Sequence, residues 1–285
     1  MIDIVVATYN RANLIPKTLE SVQSQTYQKW RCWIAEDGQT SETLEAISPF
    51  LKDDRFLYLP GKHAGKPAYP RNRAILKGNA EFIAFLDDDD FWLPEKLQYQ
   101  IEFMDSHPKC VLLGCNAYRS KSVSEWDSST PQYFQKKAFF GRISYKSLVQ
   151  DNYIILSSSM IRRSALDRSG LFNESLSVAE DYELWLRMGA LGEIWNIPDP
   201  LLVYKDTEAA KHYPKLNRRE KYRERARTLD SALTGCGNIK SPLLYEENKA
   251  YAEACRYERD FYLAGPRFLG RLRHEIALKI KNILS

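Results

Sequence analysis

Short apolar runs alternate with stretches of helical spacing over about the first 115 residues. Ile2 to Ala7, Trp30 to Ala35, Phe56 to Leu59 and Phe82 to Leu86 each read as a strand, and Cys110 to Cys115 as another. Between them Ile15, Leu19 and Val22 share one helical face. Ser41 is the expected N-cap of a second helix, with Glu42 in its first turn. Arg71 to Lys77 reads as a third helix after a Gly/Pro/Lys-rich loop from Gly61 to Pro70. Pro94 opens a fourth, with Leu93, Leu97, Ile101 and Met104 on one face. This alternation predicts a parallel, doubly wound α/β sheet.

Beyond Cys115 the pattern weakens. Asn116 to about Phe140 is polar and reads as a long connection. Structure is expected to resume at Ile154. Gly170-Leu171-Phe172 is a turn into a helix with Tyr182, Trp185, Leu186 and Met188 on one face, and Glu180 and Asp181 fall at its start. Ile197 to Tyr204 closes the globular part as an extended strand. After Lys211 the chain is basic and helical in pattern. Leu269, Leu272, Ile276, Ile280 and Ile283 form an apolar stripe flanked by Arg271, Arg273, Lys279 and Lys281. That stripe either packs on the domain or a second subunit, or lies on an anionic membrane.

Composition narrows the class. The 285 residues are 44% hydrophobic and 27% charged, as in a soluble globular protein. No stretch approaches a membrane span, and Met1 to Ala7 has the wrong flanks for a signal peptide. The five cysteines form no Cys-x-x-Cys pair, so reduced thiols and a cytoplasmic location are expected. The net charge of +4 is modest, and nucleic acid is not among the partners expected. No Gly-x-Gly-x-x-Gly follows the first strand, which removes the main support for a dinucleotide cofactor.

Candidate chemistry collects at the ends of the strands. Asp87-Asp88-Asp89-Asp90 follows the apolar Phe82 to Leu86 run. Ligands of open α/β sheets bind beyond the carboxyl ends of the strands. Four adjacent carboxylates there call for a counterion, and a hard divalent cation is the simplest one. The plain alternative is a solvated acidic turn.

Five pieces stand in order: Ala7-Thr8-Tyr9-Asn10-Arg11, Ala35-Glu36-Asp37-Gly38, Pro70-Arg71-Asn72-Arg73, the aspartate cluster with Trp92-Leu93-Pro94, and Ala179-Glu180-Asp181-Tyr182. Together they resemble the family 2 glycosyltransferases of the GT-A fold, over roughly residues 1 to 205. The resemblance implies a doubly wound, mostly parallel sheet with flanking helices. Residues 1–115 would be the nucleotide-sugar half, 116–210 the acceptor half, and 211–285 a basic helical C-terminal extension.

The resemblance also implies roles. Thr8, Tyr9, Arg11, Asp37, Arg71, Asp87 and Asp88 would hold a nucleoside-diphosphate sugar, with Asp37 on the base. Pro70 stands where the family has Ala. Asp87 and Asp89 would bind Mn²⁺ or Mg²⁺, and Asp90 would stand behind them. Asp181 would be the base of an inverting displacement, with Glu180 beside it; helix capping is the plainer reading of that pair. A divalent cation offsets the charge of a departing diphosphate, so the chemistry agrees with the motif. Asp37 suits the imide N–H of uracil, which makes a uridine donor the first expectation, although guanine also carries a ring N–H.

Other residues stay open. Trp92 and Trp185 are either core or sugar platform. His212 is either a third metal ligand or a surface histidine. Lys66 either touches a phosphate or is solvated. The expected acceptor is a carbohydrate or a lipid-linked glycan in cell-surface polysaccharide or glycoconjugate assembly, at the inner face of the membrane. The competing readings are a sugar nucleotidyltransferase and a non-catalytic sugar-binding protein on the same fold. The first would show a Gly-rich basic loop after the opening strand, where Thr8-Tyr9-Asn10-Arg11 stands instead.

Overall fold

The computed structural model describes residues 1–120 and 140–205, together with Thr228, Ser231 and Ala232. The strands are β1 (Ile2–Thr8), β2 (Trp30–Glu36), β3 (Phe56–Leu59), β4 (Phe82–Asp87), β5 (Phe91–Trp92), β6 (Cys110–Ser120), β7 (Gly141–Ile143), β8 (Met160–Arg162) and β9 (Glu193–Lys205). The helices are α1 (Ile15–Gln23), α2 (Ser41–Ile47), α3 (Ala68–Lys77), α4 (Lys96–Ser106), α5 (Tyr145–Gln150), α6 (Arg163–Ser169) and α7 (Glu180–Gly189).

Among the described residues the strands form one sheet in the order β3-β2-β1-β4-β8-β6-β9-β5, with β7 paired to β9. β3, β2, β1 and β4 are mutually parallel. β8 runs antiparallel to both β4 and β6, while β6 and β9 are parallel. The period-2 alternation of strands explains the two cores. Ile2, Ile4 and Val6 of β1, with Phe82, Ala84 and Leu86 of β4, face Leu19, Val22, Leu97, Ile101 and Met104. Val5, Ile83 and Phe85 face the other way, onto Ala74, Ile75, Leu166, Leu184 and Trp185. Each sheet face is thus covered by helices, as a doubly wound fold requires.

From β1 the chain winds outward through β2 and β3, then returns to place β4 on the other side of β1. The carboxyl ends of β1 and β4 therefore flank a topological switch point, where open sheets leave a crevice. The register sets Ala7 beside Asp87 and Thr8 beside Glu36, so three of the polar strand ends arrive together.

Several expectations need correction. α2 is capped by Thr40, whose hydroxyl accepts the Thr43 N–H at 3.2 Å, and not by Ser41. α3 begins at Ala68, earlier than Arg71, and Pro70 sits in its first turn, where a missing N–H costs no helical bond. α4 starts at Lys96, which leaves Leu93 outside it. The polar segment after Cys115 is not all connection, because β6 continues to Ser120 with Asn116 buried. β7 and α5 both lie before Ile154, where structure is expected to begin again. The C-terminal stripe and His212 lie outside the described residues.

Candidate functional site

A cleft of about 720 Å³ opens at the carboxyl ends of β1, β2 and β4. It is lined by Thr8, Tyr9, Arg11, Asp37, Arg71, Asp87, Asp88, Asp89 and Asp181, which are the residues singled out from the sequence. Asp90 is buried and does not line it. Six carboxyl-bearing and four Lys or Arg residues line the cleft.

One end of the cleft carries flat and polar groups. Asp37, 4% exposed, accepts the backbone N–H of Ala64 at 2.7 Å and of Gly65 at 2.8 Å. Its carboxylate also lies 3.0 Å from Nδ1 of His63. The His63 ring stacks on Tyr9 at 4.3 Å between centroids, 13° from parallel. One imidazole therefore touches both Tyr9 and Asp37, two of the residues expected to hold the donor. Glu36 is occupied elsewhere: it accepts the Thr40 hydroxyl at 2.8 Å and the Tyr58 hydroxyl, tying β2 to the cap of α2 and to β3.

The other end carries the acidic cluster. Arg11 Nη1 lies 2.7 Å from Asp88 Oδ1 and 3.0 Å from Asp89 Oδ2. Burial raises the Asp88 carboxyl to about 6 against the opposing pull of Arg11. Burial, then Asp87, also raises Asp89, while Arg11 and Lys205 oppose the rise. Asp90 is driven well above the ordinary range by burial and then by Asp89. Its Oδ1 accepts the Lys205 N–H at 2.8 Å, and Thr18 donates its hydroxyl to the Asp90 carbonyl at 2.9 Å. Asp87 and Asp89 are the more open pair, with side chains 34% and 16% exposed, against 5% for Asp88.

Arg71 joins the two halves of the site. Its guanidinium is buried, with Nη2 2.7 Å from Asp87 Oδ1 and Nη1 2.6 Å from Glu180 Oε1. Burial lowers the affinity of Arg71 for its proton, but Asp87 and Glu180 outweigh it and hold the group charged. Asn72 donates to the Phe172 carbonyl at 2.9 Å and accepts the Phe172 N–H at 3.0 Å. Arg73 donates to the carbonyls of Pro60 and Glu36 at 2.7 and 2.6 Å. The Arg-Asn-Arg run thus docks α3 onto β4, α7, the Phe172 segment and the ends of β2 and β3.

α7 delivers Asp181. Its N-cap, Ala179, has φ +57°, a left-handed conformation that costs an alanine of order 1 kcal/mol and recurs at functional sites. Asp181 Oδ1 accepts the Tyr182 N–H at 2.7 Å, and Oδ2 accepts from Asn152 Nδ2 at 3.3 Å. Burial, then the neighbouring Glu180, raises the Asp181 carboxyl to about 7. A carboxyl poised there exchanges protons readily at neutral pH.

The open residues resolve. Trp92 and Trp185 are core, each about 1% exposed or less; Trp92 donates to the Ser157 carbonyl at 2.7 Å, and Trp185 packs near Phe85 and Phe172. Neither is a sugar platform. Lys66 is not freely solvated, since its ammonium donates to the carbonyls of Glu174 and Ser175 at 2.7 and 3.1 Å. His63, Asn152 and Lys205 were not anticipated. Only His63 had a signal, its place in the Gly/Pro/Lys-rich loop.

Residues 3–170 match the profile of glycosyl transferase family 2. The UDP-Glc:alpha-D-GlcNAc-diphosphoundecaprenol beta-1,3-glucosyltransferase WfaP of Escherichia coli is 31% identical over 196 residues, which are 67% of this chain and 71% of that protein. The fold is similar to that of S. aureus TarS 1-349, solved with UDP-GlcNAc: the TM-score is 0.69 at 18% identity, covering 90% of this chain and 72% of that one. It is also similar to the mannosyltransferase PcManGT of Pyrobaculum calidifontis, solved with GDP-Man and Mn²⁺. There the TM-score is 0.57 at 17% identity, covering 100% of this chain and 80% of the other. The fold is therefore GT-A, and with more than half of its length matching the family profile, the chain belongs to glycosyl transferase family 2.

Proposed function

We propose that the cleft binds a nucleoside-diphosphate sugar and transfers the sugar, with inversion, to a hydroxyl of a lipid-linked or other carbohydrate acceptor. The observation that carries this reading is the single cleft at the switch point. It gathers Tyr9 and Asp37 at one end, Asp87, Asp88 and Asp89 at the other, and Asp181 on a separate helix. Tyr9 offers a ring for stacking, and Asp37 an acceptor for a base N–H. Thr8, Arg11, Arg71 and Asp88 complete the donor side. A uridine donor is favoured, in line with the UDP-linked donors named for WfaP and TarS.

Asp87 and Asp89 fit a divalent cation. They are the more open members of the cluster, they offer hard oxygens, and carboxyl-bearing residues outnumber Lys and Arg along the cleft. Among the described residues no three His, Cys, Asp or Glu side chains converge as a complete metal site, so donor oxygens and water would fill the remaining positions. Mn²⁺ or Mg²⁺ there supplies Lewis-acid assistance to the departing diphosphate.

Asp181 is the proposed base. It takes the proton of the acceptor hydroxyl as that oxygen attacks the anomeric carbon from the face opposite the diphosphate. The carbon–oxygen bond to the β-phosphate breaks, and its electron pair leaves with the phosphate. Attack from that side inverts the anomeric centre. The diphosphoundecaprenol acceptor named for WfaP supports a lipid-linked acceptor in glycoconjugate assembly, with the chain working at the inner membrane face through its basic C-terminal extension. We keep the division into 1–115, 116–210 and 211–285 as the donor half, acceptor half and extension.

Calorimetric titration of UDP and GDP, with and without Mn²⁺, tests the donor reading. UDP is expected to bind more tightly than GDP, and more tightly with metal. Tighter GDP binding would reject the uridine assignment, and no binding of either nucleotide would reject the donor site.

A further inference from the structure

The cations of the cleft are not equivalent. Arg11 is held by Asp88 and Asp89, and Arg71 by Asp87 and Glu180. Lys66 is held by two carbonyls of the segment before α7. Lys205 is different. It is the last residue of β9, and it lines the cleft together with Asp87, Asp88 and Asp89. Among the described residues no side chain or carbonyl holds its ammonium.

Its backbone, by contrast, is fixed. The Lys205 N–H donates to Oδ1 of Asp90 at 2.8 Å, and Asp90 is 1% exposed. The fourth aspartate thus ties the end of β9 to the acidic turn after β4. Residues 115 positions apart are joined where the charge is densest. A cation with a fixed backbone and a head that no described residue holds, in a cleft otherwise rich in carboxylates, is suited to an anion that arrives and leaves.

Resting on the donor reading above, we propose that Lys205 contacts the diphosphate of the donor and takes up the charge that gathers on it as the sugar leaves. When the glycosidic bond breaks, its electron pair passes to the β-phosphate oxygen, and the acceptor proton passes to Asp181. Lys205 keeps its own proton and donates hydrogen bonds to the phosphate oxygens. Those bonds strengthen as negative charge accumulates, which is what lowers the barrier. Asp90 is a positioning residue for Lys205.

The test compares the full chain with Lys205→Met and Lys205→Arg. Each is titrated calorimetrically, in Mn²⁺, with UDP, GDP, uridine and guanosine, alongside thermal melts. For whichever diphosphate the wild type binds, Lys205→Met is expected to weaken binding about tenfold and leave the matching nucleoside unchanged. Lys205→Arg should stay within about twofold of wild type for both. Turnover at saturating donor should fall about 10²-fold in Lys205→Met, the usual worth of one donor aimed at developing charge. Equal affinities for the diphosphate in wild type and Lys205→Met overturn the proposal. So does a matched loss for diphosphate and nucleoside, which would mark a structural role. A wild type that binds neither diphosphate overturns the donor reading itself, and this proposal with it.

Discussion

Arg71→Met is the substitution whose cost the geometry predicts most closely. It removes a buried guanidinium, 6% exposed, that lies 2.6 Å from Glu180 and 2.7 Å from Asp87. Methionine fills much of the same volume, so the change is chiefly one of charge. The Glu180 side chain is 11% exposed and would be left nearly dry without a partner, whereas Asp87, at 34%, keeps access to water. Breaking a buried pair from one side costs about 3–5 kcal/mol, and the share owed to the more exposed partner is discounted for solvent screening. The expected loss is therefore about 3–4 kcal/mol, most of it from Glu180. At roughly 2–4 °C per kcal/mol in a large domain, melting should fall by roughly 6–16 °C. Glu180→Gln in the Arg71→Met background removes the stranded charge and should recover about half the loss. Urea titration and thermal melts of the four proteins of this cycle give the coupling directly. A loss below about 1 kcal/mol in Arg71→Met, or purely additive effects in the double variant, would refute the bridge between β4 and α7.

Asp181→Asn should leave nucleotide affinity near wild type while lowering the rate at saturation by about 10²–10⁴, the span of general-base catalysis; lost affinity with a normal rate would contradict the role. The wild-type rate should rise with pH through about 7, because burial and Glu180 keep Asp181 protonated, and unable to accept a proton, below that value. The Asp181→Asn profile should lack this limb, and a wild-type rate flat from pH 5 to 8 would oppose it. His63→Ala should tighten nucleotide binding by about 0.5–1.5 kcal/mol, since a base would no longer displace an imidazole from Tyr9 and Asp37; weaker binding would mean that the ring instead stacks on the bound base. Deletion of residues 267–285 should preserve activity on a soluble acceptor and abolish co-sedimentation with anionic liposomes, because each basic residue near such a surface is worth about 1 kcal/mol. A full-length chain that ignores the liposomes, with a truncation that melts far lower, would assign the apolar stripe to packing.

What the sequence disclosed follows from how strongly each element is specified. β1 and β4 are buried on both faces and β2 over its carboxyl half, so they read as largely apolar runs with polar residues at the carboxyl ends. That is also why most of the cleft was legible. β5 and β8 have two and three residues and no periodicity of their own. Their places in the sheet are set by partners, which hides the antiparallel insertion of β8 between β4 and β6. β6 was cut short because Asn116 is polar, yet it lies buried in the strand with its side chain bonded to the Ala117 N–H. Thr40 and Ser41 are both good caps, and only backbone geometry separates them. Lys205 and Asn152 belong to no local pattern, because each reaches the site through a contact between distant segments.

The central claim is metal-assisted transfer from a nucleoside-diphosphate sugar, and one assay meets it directly. UDP- and GDP-linked sugars are supplied to wild type and to Asp89→Ala, with Mn²⁺ or with EDTA, and release of the nucleoside diphosphate is followed. The account predicts release from a UDP-sugar by wild type in Mn²⁺, its loss in EDTA, and its loss in a folded Asp89→Ala protein. Release that persists in EDTA and in Asp89→Ala, or a folded wild type that releases nothing from any of these donors, would contradict it.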